Sequence, residues 1–312
     1  MSKVRVCFLG TPDFAVTSLK KLIEDEHFEI VGVVTQPDRP AGRKMLLTPS
    51  PVKTLAQAHG LRVISPEKIN QDLILQEIEK WGAEVAVVVA FGQILSQKFL
   101  DMFPLGAVNV HGSLLPLWRG AAPIQRSIQA GDTVSGVALQ KIVRELDAGD
   151  IIGVRKVEMT PDLTAKELYE TLAQLGADLL SVELMDYVRG NLAPVPQDHS
   201  KATFAKKIDK SEAELKWTEP GRDLNNKVRA FNMGPGTWVP FQGKKLKIHR
   251  TRFQDQKSAG PGVIQKITDG SLFVGTGSGV LEIFEVQPES RNRMPVKDFL
   301  KAHQLKEGDQ FV

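Results

Sequence analysis

The chain has 312 residues, 42% hydrophobic and 25% charged, which is enough for a full hydrophobic core and ordinary for a soluble globular protein. A single cysteine, Cys7, excludes an intrachain disulfide, and no stretch approaches the roughly 18 consecutive apolar residues of a membrane-spanning helix. Net charge is +3, yet residues 1–200 carry 20 Lys/Arg against 24 Asp/Glu while residues 201–312 carry 20 against 13, and such a basic C-terminal third suits a polyanionic partner. The N-terminal MSKVRVCFLGTPDF has only a short apolar run broken at Gly10 and does not read as a signal peptide, so a cytoplasmic protein is expected.

KVRVCFLG is a near-continuous apolar run, the pattern of an interior parallel strand. FAVTSLKKLIEDE follows with helical spacing at Phe14, Leu19 and Leu22, with Asp13 expected to cap it. The turn between them lacks G-x-G-x-x-G, so no dinucleotide site is expected there. After the strand FEIVGVVTQ comes QPDRPAGRKMLLTPSP, residues 36–51, whose four prolines exclude a helix or a central strand. Structureless loops of this length are often functional, and Arg39, Arg43 and Lys44 could meet phosphates. VKTLAQAHG predicts a helix closed by Gly60, LRVISP a strand, DLILQEIEKWG a helix and AEVAVVVAFG a central buried strand. This rhythm is that of an open, mostly parallel α/β sheet with helices on both faces.

In GAVNVHGSLLPLWRG, residues 106–120, Asn109 and His111 sit two apart in a strand and so share one face, immediately before a loop. In open α/β sheets ligands gather at the carboxyl ends of strands. APIQRSIQAGD predicts a helix, and SGVALQKIV and DIIGVRKVEM two strands joined by RELDAGD, which holds Asp147. Asn, His and Asp together supply a neutral donor, a group that titrates near neutral pH and an anion. Spacing alone slightly favours a core histidine bonded to Asn109 with Asp147 forming a turn, because contact between positions 147 and 111 is not visible in sequence. The remaining histidines, His27, His59, His199, His249 and His303, are dispersed, and no metal motif occurs; no metal is expected.

TAKELYETLAQLGADLLSVELMDYV predicts a long helix, opened by a Thr164–Glu167 capping box and carrying Leu168, Leu172, Leu175 and Leu179 on one face. From Gly190 the sequence turns polar, Pro-containing and non-periodic, the character of a linker. Beyond it VRAF, TWVPFQGKKLKIHRTRF and GPGVIQKITDGSLFVGTGSGVLEIFEVQPE are β-prone runs between Gly-rich turns, the pattern of a small β-barrel or sandwich. The expected organisation is a domain over 1–189, a linker over 190–208 and a β domain over 209–312.

At VNVHGSLLPLWRGAAPIQRSIQAGD followed by ELDAGDII the chain closely resembles the methionyl-tRNA formyltransferases, and the resemblance runs through FLGTPDFA, TQPDRPAGR, TPSPVK, VVVAFGQIL and RAFNMGPGTW. It implies a Rossmann-like N-terminal domain and a C-terminal β-barrel resembling an OB fold that contacts tRNA. It implies transfer of a formyl group from 10-formyltetrahydrofolate to the α-amino group of methionyl initiator tRNA by a monomer, with Asn109, His111 and Asp147 as catalytic residues. Ser113, Leu114, Leu115 and Pro116, with Phe91, Gly92, Gln93, Ile94 and Leu95, match the folate-contacting segments, and Arg43 the loop arginine at the acceptor end. Arg39 and Lys44 on the loop, and Lys244, Lys245, Lys247 and Arg250 on the basic β domain, are the remaining expected tRNA contacts. Three positions depart from the family: Leu117 replaces a usual Arg, Lys44-Met45-Leu46 replaces Gly-Lys-Lys, and Gly112 replaces Ala.

Other readings are a formyltransferase acting on an amino-sugar nucleotide, a hydrolytic relative that releases formate, and a non-catalytic RNA-binding protein. The first two leave the basic β domain unused, and the third would make Asn109, His111 and Asp147 structural.

Overall fold

The structure is a computed structural model that describes residues 3–42 and 45–311. Its first half runs β1 (Val4–Gly10), α1 (Asp13–Glu24), β2 (Phe28–Val34), β3 (Arg39–Ala41), β4 (Leu46–Thr48), α2 (Pro51–Ala58), β5 (Val63–Ile64), α3 (Asp72–Glu79), β6 (Val85–Val89), α4 (Gln97–Leu100) and β7 (Ala107–His111). Next come β8 (Arg119–Gly120), α5 (Pro123–Ala130), β9 (Val134–Lys141), β10 (Ile151–Glu158), α6 (Ala165–Val188) and β11 (Phe204–Ala205). The chain finishes with α7 (Gly221–Ala230), β12 (Thr237–Phe241), β13 (Lys244–Gln254), β14 (Ile264–Ile267), β15 (Leu272–Gly275), β16 (Val280–Pro288), β17 (Met294–Pro295) and α8 (Val296–Ala302).

The first sheet has the order β10-β9-β7-β6-β1-β2-β5. The five strands from β7 to β5 are parallel, and β9 joins β7 antiparallel. β6, five aliphatic residues, is buried at every position, as a strand covered on both faces must be. Cys7 and Leu9 project to one face and pack with Leu75 and Ile78 of α3 and Phe99 and Leu100 of α4. On the other face α6 brings Gly176 against Val110 of β7 and Val137 of β9. The strand order reverses between β1 and β6, so the crevice beyond the carboxyl ends of the central strands is where such a fold receives ligands.

Local chemistry explains the helix starts. Thr164 N–H donates to Glu167 Oε2 (2.8 Å) and Glu167 N–H to Thr164 Oγ1 (3.4 Å), the reciprocal pair that opens α6. Asp13 does not cap α1: it is the first helical residue, Pro12 holds the N-cap position, and the carboxylate lies in the first turn, where the helix dipole favours it. Gly10 is required by close approach, since a Cβ there would stand 2.7 Å from the Ala15 Cβ.

The chain divides into two compact units. The first is Met1–Gly120, Ser135–Val157 and Tyr169–Phe204; the second takes Ala121–Val134 and Glu158–Leu168 together with Ala205–Val312. In the second unit an antiparallel sheet of order β12-β13-β16-β15-β14, with β17 on β16, shares one core with α7 and α8. VRAF is not a strand. Val228, Arg229 and Ala230 close α7, because Leu224 and Val228, four residues apart, bury one helical stripe in that core. Arg126 of α5 grips Glu212 through two nitrogens (2.7 and 2.9 Å), inside this unit. No helix among the described residues is long and apolar enough to cross a membrane.

Candidate active site

The alternation of β7 places Asn109 and His111 on one face at the carboxyl edge of the sheet, while Val108 and Val110 face the opposite side. The antiparallel partner β9 sets Gln140 directly opposite Asn109 and Ala138 opposite His111. The loop after β9 returns Asp147 to this edge, so that its Oδ1 lies 3.7 Å from His111 Nδ1, the two side chains being 13% and 6% exposed. The three residues singled out in the sequence are therefore neighbours.

Hydrogen bonding assigns the atoms. Trp118 O can only accept, so His111 Nε2, 3.0 Å away, carries the hydrogen. That leaves Nδ1 as the ring nitrogen that faces Asp147. The Asp147 carboxylate accepts from Gly120 N–H through Oδ2 (2.8 Å) and from Gln140 Nε2 through Oδ1 (2.9 Å). Its backbone has φ +48°, a left-handed conformation that non-glycine residues rarely adopt. Asn109 is half-buried, and among the described residues its side-chain amide has no hydrogen-bond partner.

Phe91 follows β6, next to β7 in the sheet, so the 91–95 loop and the 113–116 segment leave the sheet at the same edge. Phe91 is buried, and its carbonyl accepts from Thr11 Oγ1 and Gln36 Nε2 (both 3.1 Å). Gly92 has φ +88°. Gln93 is committed to the fold, accepting from Ile69 N–H (2.9 Å) and donating to Pro66 O (3.0 Å). Ile94 is 88% exposed, whereas Leu95 packs on the core. The Ser113 hydroxyl donates to Leu117 O (2.6 Å), Leu115 is buried, and Leu114 and Pro116 are half-buried.

Among the expected tRNA contacts, Arg43 and Lys44 lie outside the described residues. Arg39 is exposed and paired with Glu67 (3.1 Å). Lys244, Lys245, Lys247 and Arg250 are exposed along β13 in the second unit. Lys245 Nζ lies 4.0 Å above the Trp238 ring, and Arg250 and Arg252 stand 5.4 and 5.6 Å from the Phe284 ring. Among the described residues no group of three or more His, Cys, Asp or Glu is arranged to hold a metal ion.

Sequence reasoning missed Gln140, Arg119 and Gln197. Gln140 left a signal, a polar residue inside the apolar run SGVALQKIV. Gln197, buried and donating to Asp147 O (2.9 Å) and Gly149 O (2.6 Å), left none in its polar surroundings.

The carboxyl edge of the sheet thus carries an amide without a partner among the described residues and an imidazole–carboxylate pair, and the comparisons define the class. Residues 3–184 match the Formyl transferase family and residues 207–304 the family Formyl transferase, C-terminal domain. Methionyl-tRNA formyltransferase of Bdellovibrio bacteriovorus is 66% identical over 99% of both chains, and that of Hydrogenovibrio crunogenus 42% identical over 97% of both. The chain belongs to the methionyl-tRNA formyltransferase family. In fold it is similar to WlaRD, a sugar 3N-formyl transferase solved in the presence of dTDP and 5-N-formyl-THF: TM-score 0.66, 18% identity, 94% of this chain and 100% of that one covered.

Proposed function

We propose that this enzyme moves the formyl group of 10-formyltetrahydrofolate to the α-amino group of methionyl initiator tRNA in the cytoplasm, with Asn109, His111 and Asp147 as its catalytic residues. The reading rests on one observation above the others: in a formyltransferase chain, the Asn109 amide, without a partner among the described residues, stands beside the His111–Asp147 pair, both of whose side chains are hydrogen-bonded to the fold. The residues present fit the donor, because an exposed apolar Ile94 and a free amide lie on loop and strand ends that share one sheet edge.

As the amine attacks, a C–N bond forms to the formyl carbon and charge gathers on the formyl oxygen. The Asn109 amide donates to that oxygen, a type of contact whose loss costs about 100–1,000-fold in rate. The attacking amine has a reference pKa of about 7.7–8.0, so alignment matters more than activation. His111 Nε2–H is shared with Trp118 O at rest, so its own donation to the oxyanion requires that bond to loosen. A proton on Nδ1 would be balanced by Asp147. The carboxylate also serves as the relay that carries the ammonium proton, through water, to the departing nitrogen of the donor as its C–N bond breaks.

Ser113 to Pro116 and Phe91 to Leu95 form the folate side of the site in this reading. Arg39, Arg43, Lys44, Lys244, Lys245, Lys247 and Arg250 carry the tRNA, with stacking of Lys245 on Trp238 and Arg250 on Phe284 supporting a cation–aromatic surface on β13. The test is formyl transfer to methionylated initiator tRNA, with uncharged tRNA and an amino-sugar nucleotide as parallel acceptors. Formylation of the charged tRNA alone is expected. Consumption of the donor without formyl-methionine would overturn the acceptor, and no consumption would overturn the enzyme reading.

A further inference from the structure

Gln197 sits in the polar stretch after α6 that the sequence offers as a linker, yet it is 7% exposed. Its Oε1 accepts from Arg119 Nη2 (2.7 Å) and Nε (3.3 Å). Its Nε2 donates to Gly149 O (2.6 Å) and Asp147 O (2.9 Å) and stands 3.3 Å from Gln140 Oε1. The amide orientation is dictated by chemistry: a guanidinium only donates and a backbone carbonyl only accepts. Arg119 is itself 6% exposed and donates to Gln197 Oε1 and His199 Nδ1, so losing either leaves a buried guanidinium with fewer acceptors.

The bonds of Gln197 end on Arg119, Gln140 and the Asp147–Gly149 loop, the groups around His111 and Asp147. Gln140 holds the Asp147 carboxylate. The backbone flanking Arg119 supplies both remaining contacts: Trp118 O accepts from His111, and Gly120 N–H donates to Asp147. Asp147 is kept in its left-handed conformation, a strained state that persists only where surrounding bonds over-determine it. The same stretch is registered against the site at two more points. Ile151 and Val195 exchange backbone hydrogen bonds (2.8 Å each), and Thr203 accepts from Trp118 N–H through its hydroxyl (2.9 Å) and from Arg119 N–H through its carbonyl (2.8 Å).

We infer that Gln197 is a positioning residue for formyl transfer, and that residues 195–204 form a strap that sets the His111–Asp147 geometry. This rests on the catalytic reading of those two side chains. A misplacement of about 1 Å in such a pair can cost about a hundredfold in rate.

The decisive variant is Gln197→Glu in the full chain. It keeps the shape and the oxygen on Arg119 but removes both donations to the Asp147–Gly149 loop. Turnover should fall ten- to a hundredfold with KM for methionyl-tRNA within twofold, and both the pH profile of kcat and the ¹⁵N resonances of the His111 ring should move. Gln197→Ala should do the same with a lower Tm. A folded Gln197→Glu enzyme with native kcat and pH profile overturns the inference. So does a loss of kcat that leaves the pH profile and the His111 resonances in place, which is the mark of a structural residue only. If neither Gln197 variant folds, the exposed Thr203→Val takes their place: a severalfold lower kcat supports the strap, and native kinetics overturn it. Asp147→Asn, measured in parallel, separates the two levels. Native turnover there sinks the catalytic reading, whereas loss there with native Gln197→Glu sinks only the positioning role.

Discussion

The polar side chains at the carboxyl edge of β7 and those on the outer face of β13 are held in opposite ways. Around His111 and Asp147 the polar groups are buried and bonded in a closed set through Gln140, Arg119 and Gln197, with the Asn109 amide left open. On β13 the lysines and arginines are exposed and rest on aromatic rings. A buried, bonded set fixes direction, so a change there should appear in kcat. A wet, cationic surface fixes little beyond charge, so a change there should appear in affinity and its salt dependence.

The sharpest way to break this comparison is Asn109→Ala. No described residue is hydrogen-bonded to that amide, so Tm should hold while kcat falls about 100–1,000-fold; kcat within tenfold of native would mean that the open group is not the oxyanion donor. Asp147→Ala should lower Tm as well, because Gly120 N–H and Gln140 Nε2 lose their acceptor, at about 1–3 kcal/mol for each group left unsatisfied.

Gly149→Ala comes next. Its Cβ would lie 1.9 Å from Lys141 O, an overlap of backbone against new atom that the loop must move to relieve. Overpacking of this kind costs about 1–3 kcal/mol, and the displaced Asp147 should take kcat down with it. Denaturant melts beside kinetics check both; a native melt would show that the loop tolerates displacement.

A smaller effect belongs to the Arg126–Glu212 pair of the second unit. The Arg126 hydrogen bond holds the Glu212 carboxyl below its ordinary value of 4.5. A depressed carboxyl adds stability above its unfolded value and loses it as pH falls through the lower, folded one. Glu212→Gln should therefore cost about 1 kcal/mol at pH 7, after allowance for partial exposure. The difference from native should shrink as pH drops below 4.5. A gap in Tm that stays constant down to pH 3 would contradict the sign.

Lys245→Ala should give the smallest change. Affinity for tRNA should weaken severalfold, the slope of log K against log salt should lessen by about 1, and kcat at saturation should stay native. A kcat effect without a change in slope would erase the distinction between the two regions.

Much of this molecule is written locally. The aliphatic run of β6, the 3.6-residue stripe of α6 and the two-residue spacing of Asn109 and His111 each follow from side-chain direction along one element, and the structure keeps them, with Leu168, Leu172 and Leu179 of α6 buried and Leu175 half-buried. Local reading failed where core packing overrode a β-prone segment, as at Val228 in α7, and where a polar stretch gave no hint of burial, as at Gln197. Sequence by itself determined the α/β rhythm and set Asn109 and His111 side by side, because period and pleat act over a few residues. Only the tertiary structure decided that Asp147 turns back to within 3.7 Å of His111 and that Arg119 and Gln197, 78 positions apart, lock the loop between them. Those bonds join segments that meet only once the sheet is assembled.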